Sequence, residues 1–272
     1  MLQLLKIEWL KIKKYPAFWW MLGIVALTYP GINWFGYKLY EGTVSRHDMA
    51  GALAKSLLGN PFAFPESWHS VAYFSSFFVI IPAILVIMVI TNEYNYKTHR
   101  QNVIDGWSRT EFVTSKILDV FIVTLVVTLM YLLTAGISGF MLQEGNQSNW
   151  TDQIKYVPLF MLQTFAQLSI AFMLGFLVRK AFIALGIFLF YYLIVEPTLR
   201  GLLTYFKMPD LANYLPFNIS NKLIPYPQFL KRLDEDAYSK ALDLINMHVI
   251  YTLLLTSALW WLCYSVYKKR DL

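Results

Sequence analysis

Cysteine is nearly absent from this chain of 272 residues, which contains only Cys263. One cysteine cannot form a disulfide within the chain, so a small disulfide-stapled fold is excluded. Charged residues are scarce as well, at 15% of the chain, whereas soluble domains carry about a quarter. Hydrophobic residues make up 57%, and the mean hydropathy is +0.46. The composition therefore predicts a membrane protein with several spans.

Motifs that carry chemistry are also missing. The chain has no H-E-x-x-H, no G-x-S-x-G and no G-x-x-x-x-G-K-[ST], and its four histidines are scattered along the sequence. No basic patch interleaved with aromatics lies outside the apolar runs, which argues against a nucleic-acid partner. The sequence thus indicates no catalytic, cofactor-binding or metal-ligating residue. An intramembrane enzyme is the less favoured of the alternative functions.

Six apolar segments predict an all-α polytopic membrane protein that forms one transmembrane domain over residues 1–272. They show no alternation of period two, so they are expected to be helices. Pro30 should bend or end the first, Pro82 lies inside the second, and the fifth should stop at Glu196-Pro197. The predicted spans are residues 17–37, 71–90, 117–142, 157–178, 181–195 and 246–267.

Lysine and arginine predict the orientation, because cytoplasmic loops carry an excess of them. With six spans, both ends of the chain share one side with the loops after the second and fourth spans. We therefore expect both termini in the cytoplasm and a bacterial inner-membrane location. The basic residues on that side are Lys6, Lys11, Lys13, Lys14, Lys97, Arg100, Arg109, Lys116, Arg179, Lys180, Lys268, Lys269 and Arg270.

The first fifteen residues predict an amphipathic helix in the membrane interface. Leu2, Leu5, Trp9 and Ile12 fall on one helical face, with lysines near its edge. A frayed basic segment leading into the first span is the alternative. The apolar run that follows is too long for a typical signal peptide and has no A-x-A cleavage pattern after it, so we expect it to remain as a span.

The cytoplasmic segment 93–111 is long, charged and well punctuated. Gly106 falls where a helix C-terminal glycine would lie, and Ser108 and Glu111 have the spacing of a capping box before an apolar run. The pattern predicts a helix that stops at Gly106 and a second helix that starts at Ser108. Such an elbow at the membrane surface would present basic side chains to a partner; an ordinary solvated connector is the alternative.

The same segment resembles the cytoplasmic loop of ABC-2 type transporter permeases. Residues Glu93, Lys97, Thr98, Gly106, Ser108, Arg109 and Lys116 match that loop in type and order. Two features depart from it: Lys97-Thr98 stands where many members have Gly-Thr, and Gly106-Trp107 stands where many have proline before the Ser-Arg pair. An amphipathic elbow helix, six spans and a long outer loop before the last span also fit the family plan.

The resemblance implies the permease subunit of an ATP-driven exporter. This chain would bind no cofactor, and Mg-ATP would be bound by a separate ABC ATPase subunit. A coupling helix between spans two and three would dock on that subunit, and a second permease subunit would complete a homodimer or heterodimer in the lipid. The residues implied in coupling are Glu93, Lys97, Thr98, Arg100, Gly106, Ser108, Arg109, Glu111 and Lys116.

Polar residues elsewhere suggest two further candidate sites. Glu196 and Arg200, one helical turn apart, open the outer region 196–244, for which a re-entrant segment is predicted; they are a candidate gate or a plain ion pair. Gln163 and Gln167 are candidates for lining a path, with interhelical hydrogen bonds as the alternative. A secondary transporter or channel is the main alternative function, but it usually needs charges at mid-membrane depth.

Overall fold

The computed structural model describes residues 2–45, 59–104, 106–143, 149–227, 229 and 235–269. Side chains are described for these residues except at positions 2–5, 43, 100, 103 and 235–237. Within these ranges the secondary structure is helical and no strand is present, as the sequence predicts.

The described helices are numbered here in chain order. They are α1 (Leu2–Lys14), α2 (Pro16–Val44), α3 (Ser67–Ser76), α4 (Ile80–Asn95), α5 (Thr98–Ile104), α6 (Arg109–Met141), α7 (Tyr156–Val178), α8 (Ala181–Tyr205), α9 (Pro209–Ala212), α10 (Pro216–Asn221), α11 (Glu235–Asp243) and α12 (Ile245–Lys269).

Four of the described helices, α6, α7, α8 and α12, are long and apolar enough to cross a membrane. A fifth candidate is the pair formed by α3 and α4, which are bent by 52° relative to each other. Helix α2 has 29 residues and so is also long, but its aromatic and polar residues keep it out of this group. The chain is therefore a helical protein with four or five candidate spans.

Helix α7 lies at the centre of the bundle and packs against α4, α6 and α12. Its close approach to α4 depends on Gly175. A Cβ at that position would lie 2.6 Å from Cγ2 of Ile90 and 3.4 Å from the Cα of Ile87, so a larger residue would push the two helices apart. Small residues at helix crossings allow this kind of backbone approach in membrane proteins.

Proline explains where the second span is broken but does not end the first. Pro82 has no N–H, and its ring would clash with the carbonyl of Phe78 in a continuous helix, which places the break between α3 and α4 at residues 77–79. Pro30, by contrast, lies inside α2, which continues to Val44. The expectation that Pro30 could end the first span is wrong, and neighbouring groups must accommodate the missing hydrogen bond.

Helix α8 corrects the predicted end of the fifth span. It does not stop at Glu196-Pro197 but runs through a π-helical turn at Tyr191–Val195 and continues to Tyr205. The wider turn directly precedes Pro197, whose ring would crowd the carbonyl of residue 193 in a regular α-helix. The span is 25 residues long rather than short.

Candidate functional site

The segment between α4 and α6 has the punctuation that the sequence predicts. Helix α5 ends at Ile104, and Gly106 has a φ of +95°, in the region that glycine adopts without strain. The N–H of Trp107 donates to the carbonyl of Asn102 over 3.0 Å, the 6→1 bond of a Schellman motif. The predicted stop at Gly106 is confirmed. The segment also breaks earlier, at Lys97 with a φ of +56°, so residues 93–95 belong to α4.

The predicted capping box at the start of α6 is confirmed. The Ser108 Oγ accepts from the N–H of Glu111 over 3.2 Å, and the Glu111 carboxylate accepts from the N–H of Ser108 over 2.8 Å. The two residues therefore satisfy each other's backbone donors at the first turn of the helix. Helix α6 starts at Arg109, eight residues before the predicted start of the span.

Directly behind this elbow lies a charge cluster formed by Glu8, Lys11, Glu93, Lys116 and Asp119, all of them buried except Lys11. The ammonium of Lys116 donates to Glu8 over 2.8 Å, to Glu93 over 2.7 Å and to Asp119 over 2.8 Å. Its side chain is only 1% exposed. Because Glu8 belongs to α1, Glu93 to α4 and Asp119 to α6, one lysine joins three helices.

Lys11 extends the charge cluster toward the surface. Its ammonium lies 3.0 Å from Glu8 and 3.5 Å from Glu93, and it also lies over the Trp107 ring at 5.5 Å. Burial alone would raise the pKa of Glu8, but Lys116 and Lys11 outweigh it and hold that pKa below its usual value. The N-terminal helix is thus tied to both α4 and the turn before α6.

Arg109 connects the same elbow to the last helix. Its guanidinium donates to the carbonyls of Tyr267 and Lys268 at the C-terminal end of α12. Cations are favourable at that end of a helix, where carbonyls lack partners. Phe112, one turn further along α6, stacks on Tyr267 with 4.8 Å between the ring centroids. Arg109 is therefore engaged within the chain.

The residues predicted for coupling fall into two groups. Lys97, Thr98, Ser108 and Glu111 are exposed, and Gly106 shapes the turn. Glu93 and Lys116 are buried, because α1 covers them and completes their ion pairs, and their implied part in coupling stays a prediction. The side chain of Arg100 lies outside the described residues, as do those of Leu2 and Leu5 in α1.

Sequence reasoning missed three members of the charge cluster: Glu8, Lys11 and Asp119. Local signals existed, since Glu8 is an acid in a helix of lysines and Lys116 and Asp119 are three residues apart at the start of an apolar run. The apolar face predicted for α1 is divided in the structure. Ile12 is buried, but Trp9 is 37% exposed, and the acid Glu8 faces the bundle instead.

At the opposite end of the bundle, Gln163 and Gln167 hold the short helix α10. Both side-chain amides donate to the Asn221 carboxamide oxygen, over 3.0 Å and 2.8 Å, and Gln167 also donates to the hydroxyl of Ser220. Both glutamines are buried. Their observed contacts are thus hydrogen bonds between elements, the alternative to lining a path.

Glu196 is also bound to α10. Its carboxylate accepts the backbone N–H groups of Phe217 over 3.1 Å and Asn218 over 2.6 Å, at the N-terminal end of that helix. The expected ion pair with Arg200 is absent from those formed among the described residues, because Glu196 faces α10 whereas Arg200 is exposed. In the described part of the chain, no group of His, Cys, Asp or Glu could hold a metal ion.

Comparison with known proteins adds one match. A family model described as "Protein of unknown function (DUF2705)" matches residues 49–272. No curated protein matches the chain.

Proposed function

The chain belongs to the DUF2705 family, whose function is unknown, and we propose that it is the permease subunit of an ATP-driven transporter of the ABC-2 type. In this proposal a separate subunit binds and hydrolyses Mg-ATP, and this chain is not itself an enzyme. It pairs with a second permease subunit and exports a substrate that the sequence does not name. The resemblance of residues 93–116 to the loop of such permeases supports the assignment.

The proposal includes six spans in a bacterial inner membrane with both termini in the cytoplasm. Helix α2 serves as the first span, since 29 residues at about 1.5 Å each exceed the bilayer core of about 30 Å. The bent pair α3 and α4 forms the second, and α6, α7, α8 and α12 follow. Helix α1 then lies along the inner surface as an elbow helix.

The observation that carries the proposal is the exposed surface of α5. Ile104, at its end, and Tyr96, in the turn two residues before its start, are each 77% exposed, although α5 would lie on the water side of the membrane. On its other side His99 is buried against the last turn of α4, with Nδ1 3.1 Å from the Glu93 carbonyl oxygen. An aliphatic side chain on a helix that packs against α4, and an aromatic side chain in the turn before it, are suitable anchors for a protein partner.

The contacts behind α5 suggest how motion of the partner would reach the membrane. The Glu93 backbone holds α5, while the Glu93 side chain pairs with Lys116 of α6. Lys116 in turn pairs with Glu8 of α1. A push on α5 would therefore act on α1, α4 and α6 together rather than on one flexible loop.

Purification of the tagged chain from its own host membranes tests the assignment. We expect a protein with a P-loop to co-purify and the complex to hydrolyse ATP. Ile104→Glu should remove that protein, since it places a charge in an apolar contact, whereas Ile104→Leu should keep it. Both variants should unfold at the temperature of the unchanged chain, because the side chain is exposed.

Two results would contradict the proposed permease function or its docking surface on α5. If both Ile104 variants retain the ATPase subunit equally, α5 is not the docking surface. If the chain alone, reconstituted in vesicles, moves a solute in response to an ion gradient and no P-loop protein accompanies it, a secondary transporter or channel is the better assignment.

A further inference from the structure

A cavity of about 530 Å³ opens at the end of the bundle away from the charge cluster. It lies between the last turns of α8, helix α10 and the C-terminal end of α3. Its lining is of two kinds. Arg200, Lys222 and Asn221 supply polar groups, and Tyr73, Phe77 and Tyr192 supply aromatic surface.

The two kinds of lining lie at different depths along α8. From Ala181, the rise of about 1.5 Å per residue brings the chain to Tyr192 after about 17 Å and to Arg200 after about 29 Å. The apolar core of a bilayer is about 30 Å thick. When α8 crosses the membrane, Arg200 lies at the depth of the lipid headgroups, and the aromatic part of the cavity lies beside the acyl chains.

Neither Arg200 nor Lys222 forms an ion pair within 4.0 Å with any described residue, although the Glu196 carboxylate lies near enough to interact with the charge of Arg200. Glu196 also lines the cavity, but both its oxygens accept backbone N–H groups of α10. Burial, and then the nearby charge of Arg200, lower the pKa of Lys222. An anion between the two side chains would offset both costs.

We propose that this cavity binds the phosphate headgroup of an anionic phospholipid from the adjacent membrane leaflet. Arg200 and Lys222 pair with the phosphate, Asn221 lies beside it, and an acyl chain lies along Phe77, Tyr192 and Leu193. Arginine and lysine are the usual partners of phosphate, through charge-assisted hydrogen bonds. The inference rests on α8 crossing the membrane and does not require an ATPase partner.

Lipid retention by the purified full chain tests this site. The chain is purified from vesicles of phosphatidylglycerol and phosphatidylcholine, and the bound lipids are counted by native mass spectrometry. We expect the unchanged chain to retain phosphatidylglycerol. The double variant Arg200→Gln with Lys222→Gln should bind this lipid more weakly by a factor of about ten. Arg200→Lys with Lys222→Arg keeps both charges and should retain it. Lys240→Gln removes an exposed charge that does not line the cavity and should change nothing.

Three outcomes would overturn the proposal. Equal retention of both lipids means that the headgroup charge is not recognised. Equal losses in the double variant and in Lys240→Gln mean that general surface charge attracts the lipid. Displacement of phosphatidylglycerol by millimolar inorganic phosphate, with no preference for the lipid, assigns the cavity to a soluble anion. None of these outcomes depends on whether an ATPase co-purifies, so the two proposals fail separately.

Discussion

At the scale of single residues, Lys116 is the side chain that holds the charge cluster together. It is the only member of the charge cluster that contacts all three carboxylates. Removing one partner of a buried ion pair leaves uncompensated charge and costs about 3–5 kcal/mol. We therefore expect Lys116→Met to lower the thermal unfolding temperature in detergent clearly, whereas Lys97→Met, at an exposed position, should leave it unchanged.

The pH dependence of that variant gives a sharper test of the same prediction. In the unchanged chain the pKa of Glu8 is lowered, so its contribution to stability is present above its usual value of 4.5 and is lost as the pH falls below it. With Lys116 gone, burial is opposed only by Lys11 and a hydrogen bond with Asp119, and the pKa of Glu8 should rise. Lys116→Met should then gain stability toward acid.

Unfolding temperatures measured between about pH 4 and pH 8 compare the two chains. Parallel profiles would mean that Lys116 acts through packing and not through its charge.

At the scale of helices, features that depend on neighbouring residues were predicted better than contacts between residues far apart in the sequence. Helices α7 and α12 lie within two residues of their predicted bounds, and the cap at Ser108 follows from four consecutive residues. The continuation of α8 past Pro197 could not be predicted, because a π turn accommodates the proline. Nor could the charge cluster, since Glu8 and Lys116 are 108 residues apart and meet only when α1 packs on α6.

The start of α6 should determine how well motion passes from α5 to the membrane. Loss of an N-cap costs about 0.5–2 kcal/mol, too little to unfold a packed bundle but enough to loosen the first turn. We expect Ser108→Ala to leave expression and dimer formation near normal and to lower the amount of substrate transported per ATP. Ser108→Asp should retain coupling, because aspartate also caps and its charge suits a helix N-terminus.

Transport and hydrolysis measured together in reconstituted vesicles provide this ratio. If the alanine and aspartate variants give the same ratio, Ser108 matters for a reason other than its cap, and the first turn of α6 does not transmit motion from α5.

At the scale of the whole molecule, the two ends of the bundle differ in kind. One end carries the charge cluster, where α1, α4 and α6 are joined by ion pairs and Arg109 adds the end of α12. The other end carries the amide contacts of α10 and the cavity with Arg200 and Lys222. Helix α7 runs through the centre and contacts elements of both ends. This polarity predicts a fixed orientation in the membrane.

Cysteine labelling tests that orientation directly. Cys263 is buried and so gives little background, and Cys263→Ser removes it. In this background Lys97→Cys, at the start of α5, should react with a membrane-impermeant maleimide only after the cells are opened. Lys240→Cys, in α11, should react in intact cells, because the proposed orientation places Lys268 and Lys269, at the end of α12, in the cytoplasm and the start of α12 on the other side. Labelling of both positions in intact cells would contradict cytoplasmic placement of α5 and, with it, docking of an ATPase on that helix. The reverse pattern, with Lys97→Cys alone reactive in intact cells, would mean that the protein has the opposite orientation in the membrane and that the cavity lies on the cytoplasmic side.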